Sequence, residues 1–205
     1  MTTMTHSETT TAPRAAAPRT RGVHHLALTT EDMRMTTDFY VRVLGMPLIH
    51  AMKVPPGLGT GPGNRGNPPF ENLRHYFFDM GGDGLVAFFE IPRGAKPAAD
   101  RDAIGGMQHV AFTTTSDEFA ALRSRLHDAG VETQGPIETL PGVFSLYFYD
   151  PNGIRLEACH QPADGADVQV IACNTQTRAQ ARQELESLGA DAGWIDAMTT
   201  HLPGG

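Results

Sequence analysis

The sequence predicts an α+β fold built from two copies of one β-α-β-β-β module, and three observations predict it. Residues 23–32 read VHHLALTTED and residues 107–117 read MQHVAFTTTSD. Each is a short apolar strand with a histidine near its start, then a threonine-rich turn and an acidic helix start. A helical pattern ended by glycine follows each copy. Three strand-like runs separated by turn signals follow each helix. The spacings agree with a repeat: His25 and His109 are 84 residues apart, and Gly45 and Gly130 are 85 apart.

In the first copy, Asp32 is placed to cap a helix carrying Met35, Phe39, Val43 and Leu44, stopped by Gly45. In the second, Ser116 is placed to cap a helix carrying Phe119, Leu122 and Leu126, stopped by Gly130. The strands of the first copy are expected at Pro47–Lys53, Leu73–Met80 and Gly84–Ile91, and those of the second at Val131–Glu138, Val143–Tyr149 and Gly153–Cys159. GGDG at 81–84 and DPNG at 150–153 supply the turns. Glu90 and Glu157 are only 67 residues apart, so the first copy holds about 17 extra residues before its last strand. The surplus is the Gly/Pro-rich stretch 54–72, whose composition forbids a helix or a central strand. A loop of that kind is either an active-site lid or a passive insertion.

Composition narrows the function. The chain has 205 residues, 40% of them hydrophobic, and a formal net charge of −7 with no Lys/Arg-rich block, which argues against a nucleic-acid or anionic-membrane surface. Cys159 and Cys173 form no CxxC pair, so a disulfide framework or cysteine zinc site is not expected. Residues 1–21 have the composition of a disordered lead without the apolar region of a secretory signal. No apolar run is long enough to span a membrane. A cytoplasmic protein with reduced thiols is expected.

The nine histidines are the informative residues. Side chains alternate faces along a strand. His25, Ala27 and Thr29 therefore share one face and Leu26 and Leu28 the other; His109, Ala111 and Thr113 repeat the pattern against Val110 and Phe112. The larger apolar faces must pack on the helices, which leaves the His-Ala-Thr faces lining the opposite side. The repeat makes His25 and His109 equivalent and selects His25 over His24. The last strand of each copy ends in a carboxylate among apolar residues, Glu90 after FF and Glu157 after RL. Such a carboxylate is costly unless paired or bound to a metal. The expected ligand set is His25, Glu90, His109 and Glu157, holding one divalent ion per chain: Ni, Zn, Co, Mn or Fe(II).

These segments resemble the vicinal oxygen chelate superfamily, the glyoxalase/bleomycin-resistance/extradiol-dioxygenase group. HLALTTEDMRMTTDFYVRVLGM (25–46), LVAFFE (85–90), QHVAF (108–112) and YFYDPNGIRLE (147–157) carry the resemblance. It implies one domain over 22–160, with modules at 22–91 and 106–160 forming an incomplete mixed barrel around a metal. The family's ligand positions are placed on His25, Glu90, His109 and Glu157. The resemblance further implies a metal-dependent enzyme binding a small substrate through adjacent oxygens. A glyoxalase I-like lyase or isomerase working through an enediolate comes first, with Glu157 or Glu90 as the base. An extradiol Fe(II) ring-cleaving dioxygenase using His25, His109 and Glu157 is the alternative. A drug-binding protein is third. Tyr147, ten residues before Glu157, matches an active-site tyrosine of the extradiol enzymes. Their acid/base histidine has no counterpart at Gly84 or Leu85, and His75 is the candidate substitute. A homodimer is the family habit, and some members share the site between subunits.

Residues 161–205 lie outside the resemblance. A helix over 175–188 with a thin stripe of Ala179, Leu185 and Leu188, ended by Gly189, is expected there, with Trp194 and Met198 anchoring a second short helix.

Overall fold

The computed structural model describes residues 20, 22–57, 69–161 and 170–204. The lead expected at 1–21, apart from residue 20, and most of the Gly/Pro-rich loop lie outside the described residues. The chain divides into two units, one over Gly22–Val168 and the other holding the C-terminal segment.

The first unit contains two four-stranded mixed sheets. Strands β1 (His25–Thr30), β2 (Leu48–Lys53), β3 (Arg74–Asp79) and β4 (Leu85–Glu90) are ordered β1-β4-β3-β2. Strands β5 (Val110–Thr114), β6 (Thr133–Leu140), β7 (Val143–Tyr149) and β8 (Arg155–His160) are ordered β5-β8-β7-β6. In each sheet the first and last strands of the module pair in parallel and the others are antiparallel. The long crossover after β1 and after β5 is what permits the parallel pairing. The sheets remain open, as the expected incomplete barrel requires.

Helix α1 (Met33–Asp38) starts at Asp32, whose side chain accepts from the Met35 amide at 2.9 Å. It then widens into a π-helical stretch, Phe39–Val43, where the Leu44 amide reaches back to the Phe39 carbonyl. Met33, Thr36, Phe39 and Tyr40 are buried, whereas Met35, expected on the core face, is exposed. Gly45 ends the segment at φ 77°, and the Met46 amide bonds the Tyr40 carbonyl. Helix α2 (Ser116–Asp128) is capped by Thr115, one residue before the expected cap, in a reciprocal capping box with Glu118. Phe119, Leu122 and Leu126 are buried as expected.

Both helices and the Leu/Val/Phe faces of both sheets feed one core, in which Tyr40, Phe78, Phe88, Leu126, Leu146 and Phe148 are almost wholly buried. Each such side chain stabilises the fold by about 1.5–3 kcal/mol of transfer free energy. Polar bonds cross between the modules as well. Tyr40 Oη donates to Asp150 Oδ2 at 3.3 Å, Thr30 Oγ1 donates to Asn152 Oδ1 at 2.7 Å, and Arg125 Nε donates to the Val43 carbonyl at 2.8 Å. The shared core lies on the helix side of both sheets. The His-Ala-Thr faces therefore fall outside it, and His25, Ala27, Thr29, His109, Ala111 and Thr113 are all exposed.

In the second unit, α3 (Val170–Asn174), α4 (Arg178–Glu186) and α5 (Ala192–Thr199) follow one another. Thr177 and Asp191 cap α4 and α5, and Arg178 and Arg182 both pair with Asp196. Among the described residues of this unit Ala181, Ile195 and Thr199 are buried; Trp194 and Met198, the expected anchors, are exposed, as is Leu188 of the expected stripe. Among the described residues no helix is long and apolar enough to cross a membrane.

Candidate metal centre

The second module assembles half of the expected centre. Glu157 is the third residue of β8 and pairs across to Ala111 on β5 and to Tyr147 on β7. Glu157 is 5% exposed, and its Oε2 lies 2.8 Å from His109 Nε2. His109 Nδ1 is taken by the Gln108 side chain, which Arg155 Nη1 contacts at 3.3 Å. That bond fixes the ring so that Nε2 is the nitrogen presented to Glu157. The Arg155 guanidinium stacks over the Tyr147 ring at 4.2 Å, holding it beside His109.

Cys159 Sγ donates to Glu157 Oε1 at 3.0 Å, with Ser145 Oγ 3.7 Å from the sulfur. Burial pushes the Glu157 pKa up, but hydrogen bonds from Ser145, Cys159 and Tyr147 and the charge of His109 outweigh it and hold the carboxyl below its ordinary value. Glu157 is therefore ionised at neutral pH. The Cys159 thiol is pushed up to about 11, first by burial and then by Glu157, so it remains a donor. Burial and the Glu157 bond also raise the Tyr147 hydroxyl. An imidazole nitrogen and a carboxylate oxygen converging in this way suit a borderline or hard divalent cation.

The first module supplies a histidine and no carboxylate. His25 stands at the start of β1, its Nδ1 2.9 Å from His24 Nδ1, and meets the Phe77 ring edge-on at 6.1 Å. In the parallel register Ala27 pairs with Ala87, as Ala111 pairs with Glu157. The place equivalent to Glu157 is thus held by Ala87. Glu90 is the sixth residue of β4, opposite Thr30, at the far end of the strand from His25. An offset of three residues also turns it to the other face of the sheet. There Glu90 pairs with Arg74 and accepts from the Met33 amide at 2.9 Å, at the start of α1. The expected grouping of Glu90 with His25 is corrected accordingly. Among the described residues no group of three or more His, Cys, Asp or Glu side chains is placed to hold a metal, so one chain does not bring His25, Glu90, His109 and Glu157 together.

His75, on β3, lies on the same face as His25. It is 8% exposed, stacks on Phe89 at 3.7 Å, and meets Phe77 at 4.2 Å. Burial and the charges of His25 and His50 lower its pKa, against an opposing contact with the Phe88 carbonyl. Phe70 stacks on the other side of Phe89 at 4.5 Å, extending a continuous aromatic surface. Sequence reasoning missed Gln108, Ser145, Arg155 and Cys159. Alternation along β8 from Glu157 points to Arg155 and Cys159, two residues to either side.

The comparisons agree with this architecture. The family described as the glyoxalase/bleomycin resistance protein/dioxygenase superfamily matches residues 22–158. An uncharacterized protein of Bacillus subtilis (strain 168), YwkD, is 29% identical over 147 residues, covering 69% of this chain and 98% of that protein. The glyoxylase/bleomycin resistance protein/dioxygenase domain from Frankia sp. EAN1pec has the same fold, with a TM-score of 0.55 at 23% identity over 70% of this chain and 94% of that one. The fosfomycin resistance protein FosX from Listeria monocytogenes is similar at 21% identity and a TM-score of 0.48, over 68% of this chain and 92% of that one. With the match running through both modules, the chain belongs to the glyoxalase/bleomycin resistance protein/dioxygenase superfamily.

Proposed function

We propose that the protein is a metal-dependent enzyme with a three-ligand centre of His109, Glu157 and His25, acting on a small planar substrate through two adjacent oxygens. The observation that carries this reading is the convergence of His109 Nε2 and Glu157 Oε2 at 2.8 Å in one module, with Ala87 at the equivalent carboxylate place in the other. Because one chain does not gather the three side chains, a second copy of the chain supplies His25, and the working unit is a homodimer. The free thiols Cys159 and Cys173 suit a reducing cytoplasm.

Bound there, a divalent ion supplies Lewis-acid polarisation of the two substrate oxygens. The chain's own residues do the rest. His75, kept neutral by burial, accepts a proton from a substrate hydroxyl. Tyr147, whose hydroxyl donates to Glu157, accepts a hydrogen bond from a substrate hydroxyl. Phe70, Phe77 and Phe89 give the planar substrate an apolar wall and exclude water. Three ligands with a tyrosine and a neutral histidine favour oxidative ring opening of a vicinal diol on an aromatic ring, with dioxygen as cosubstrate. The glyoxalase I-like reading asks for a further carboxylate where Ala87 stands.

The test is purification without oxygen or chelators, followed by metal analysis, Fe(II) reconstitution and oxygen uptake with catechols. Iron near one per chain and catechol-dependent oxygen uptake support the proposal. Nickel, zinc or cobalt with turnover of a 2-oxoaldehyde instead moves the enzyme to the isomerase class. No metal retained after reconstitution overturns the enzymatic reading.

A further inference from the structure

We infer that Cys159 is a positioning residue that divides the two oxygens of Glu157, holding Oε1 so that Oε2 alone is presented to a metal. The inference rests on the metal-centre reading above. Strand alternation puts Cys159 on the same face of β8 as Glu157, two residues on. Its thiol is bonded to Oε1 at 3.0 Å, while Oε2 faces His109 Nε2 at 2.8 Å. The sulfur is backed in turn: Ser145 Oγ, which like Tyr147 also bonds the Glu157 carboxylate, lies 3.7 Å from it and 2.9 Å from Thr139 Oγ1, and Ser145 is wholly buried. The relay Thr139–Ser145–Cys159–Glu157 thus runs from β6 across β7 to β8. The first module lacks it, for Phe89 pairs with Thr29 where Cys159 pairs with Thr113. The device is therefore confined to the half that carries the carboxylate. A carboxylate with one oxygen tied to a donor binds a metal through the other, which leaves coordination positions open for a chelating substrate. Partners of this kind typically change metal affinity about 10–100-fold when removed.

Two measurements on the full-length chain test it. In a Cys173→Ser background, where Cys159 is the one thiol, the infrared S–H stretch of the metal-free protein should lie below that of a free thiol and return toward it in Glu157→Ala. Co(II) titration by calorimetry and visible absorption should then show Cys159→Ala weakened about 10-fold or more, with an altered spectrum. Cys159→Ser, which keeps a donor, should bind within about 3-fold of wild type. The metal-free Cys159→Ala protein should melt within a few degrees of wild type. An unshifted S–H band, or a Cys159→Ala variant with wild-type Co(II) affinity and spectrum, overturns the positioning role alone. A wild-type protein that binds no Co(II) overturns the metal-centre reading and the role with it.

Discussion

Ala87 and Glu157 hold the same place in the two modules, each paired with the alanine two residues beyond the module's exposed histidine, Ala27 after His25 and Ala111 after His109. The two modules are therefore alike in their histidines and unlike in their carboxylates. Glu157→Gln should lower Co(II) affinity by more than about 100-fold, beyond the range of outer-shell partners. Glu90→Gln should leave it within about 3-fold, because Glu90 serves Arg74 and the start of α1. Isothermal titration of the two variants checks both. A Glu90→Gln protein as defective as Glu157→Gln would restore a four-ligand centre.

The seam between modules should be sensitive to Asp150. Its Oδ1 accepts from the Asn152 and Ile154 amides at 2.8 Å each, and its Oδ2 from Asn152 Nδ2 at 3.0 Å and from Tyr40. Asp150→Ala strands several buried donors and should cost about 2–4 kcal/mol in urea unfolding, against about 1 kcal/mol for Tyr40→Phe. Burial raises the Asp150 pKa, and its hydrogen bonds bring it back only in part. A raised folded pKa means that this group's favourable contribution is present below the unfolded value, about 3.9, and is lost as pH rises through the folded one. The stability of wild type relative to Asp150→Asn should therefore fall as pH rises above the unfolded value of about 3.9.

Gly135 interrupts β6 where the register with β7 shifts. Its φ is 123°, and an added Cβ would stand 2.5 Å from the Ser145 carbonyl oxygen. Gly135→Ala combines a conformation that side chains rarely adopt with a backbone clash, so a loss of about 2–4 kcal/mol is expected. Because Ser145 is also in the relay behind Glu157, Co(II) affinity should fall with stability. Unchanged thermal melting would contradict the tight approach.

At the start of α2 the cap is Thr115, not Ser116. Thr115→Ala should destabilise by about 1 kcal/mol, and Ser116→Ala by a few tenths at most. Chemical denaturation of the two single variants separates them, and equal losses would argue against the assigned cap.

The sequence by itself determined the duplicated module, its strands and helices over 22–160 to within a few residues, and the face on which His25 and His109 lie. Each follows from short-range physics: alternation sets the face of a strand residue, and helical spacing with a polar cap and a terminal glycine sets each helix. The same alternation, applied along β8, reaches Arg155 and Cys159 on either side of Glu157. Only the tertiary structure decided the fate of Glu90. Its face depends on which residue of β4 pairs with His25, and an odd offset in that register reverses it. FFE and RLE look alike in the chain, yet they end three places apart on their strands. Tertiary packing likewise decided that one chain does not gather His25 with His109 and Glu157. Where His25 stands relative to Glu157 depends on how the two modules dock through their shared core, which no local pattern around His25 or His109 encodes.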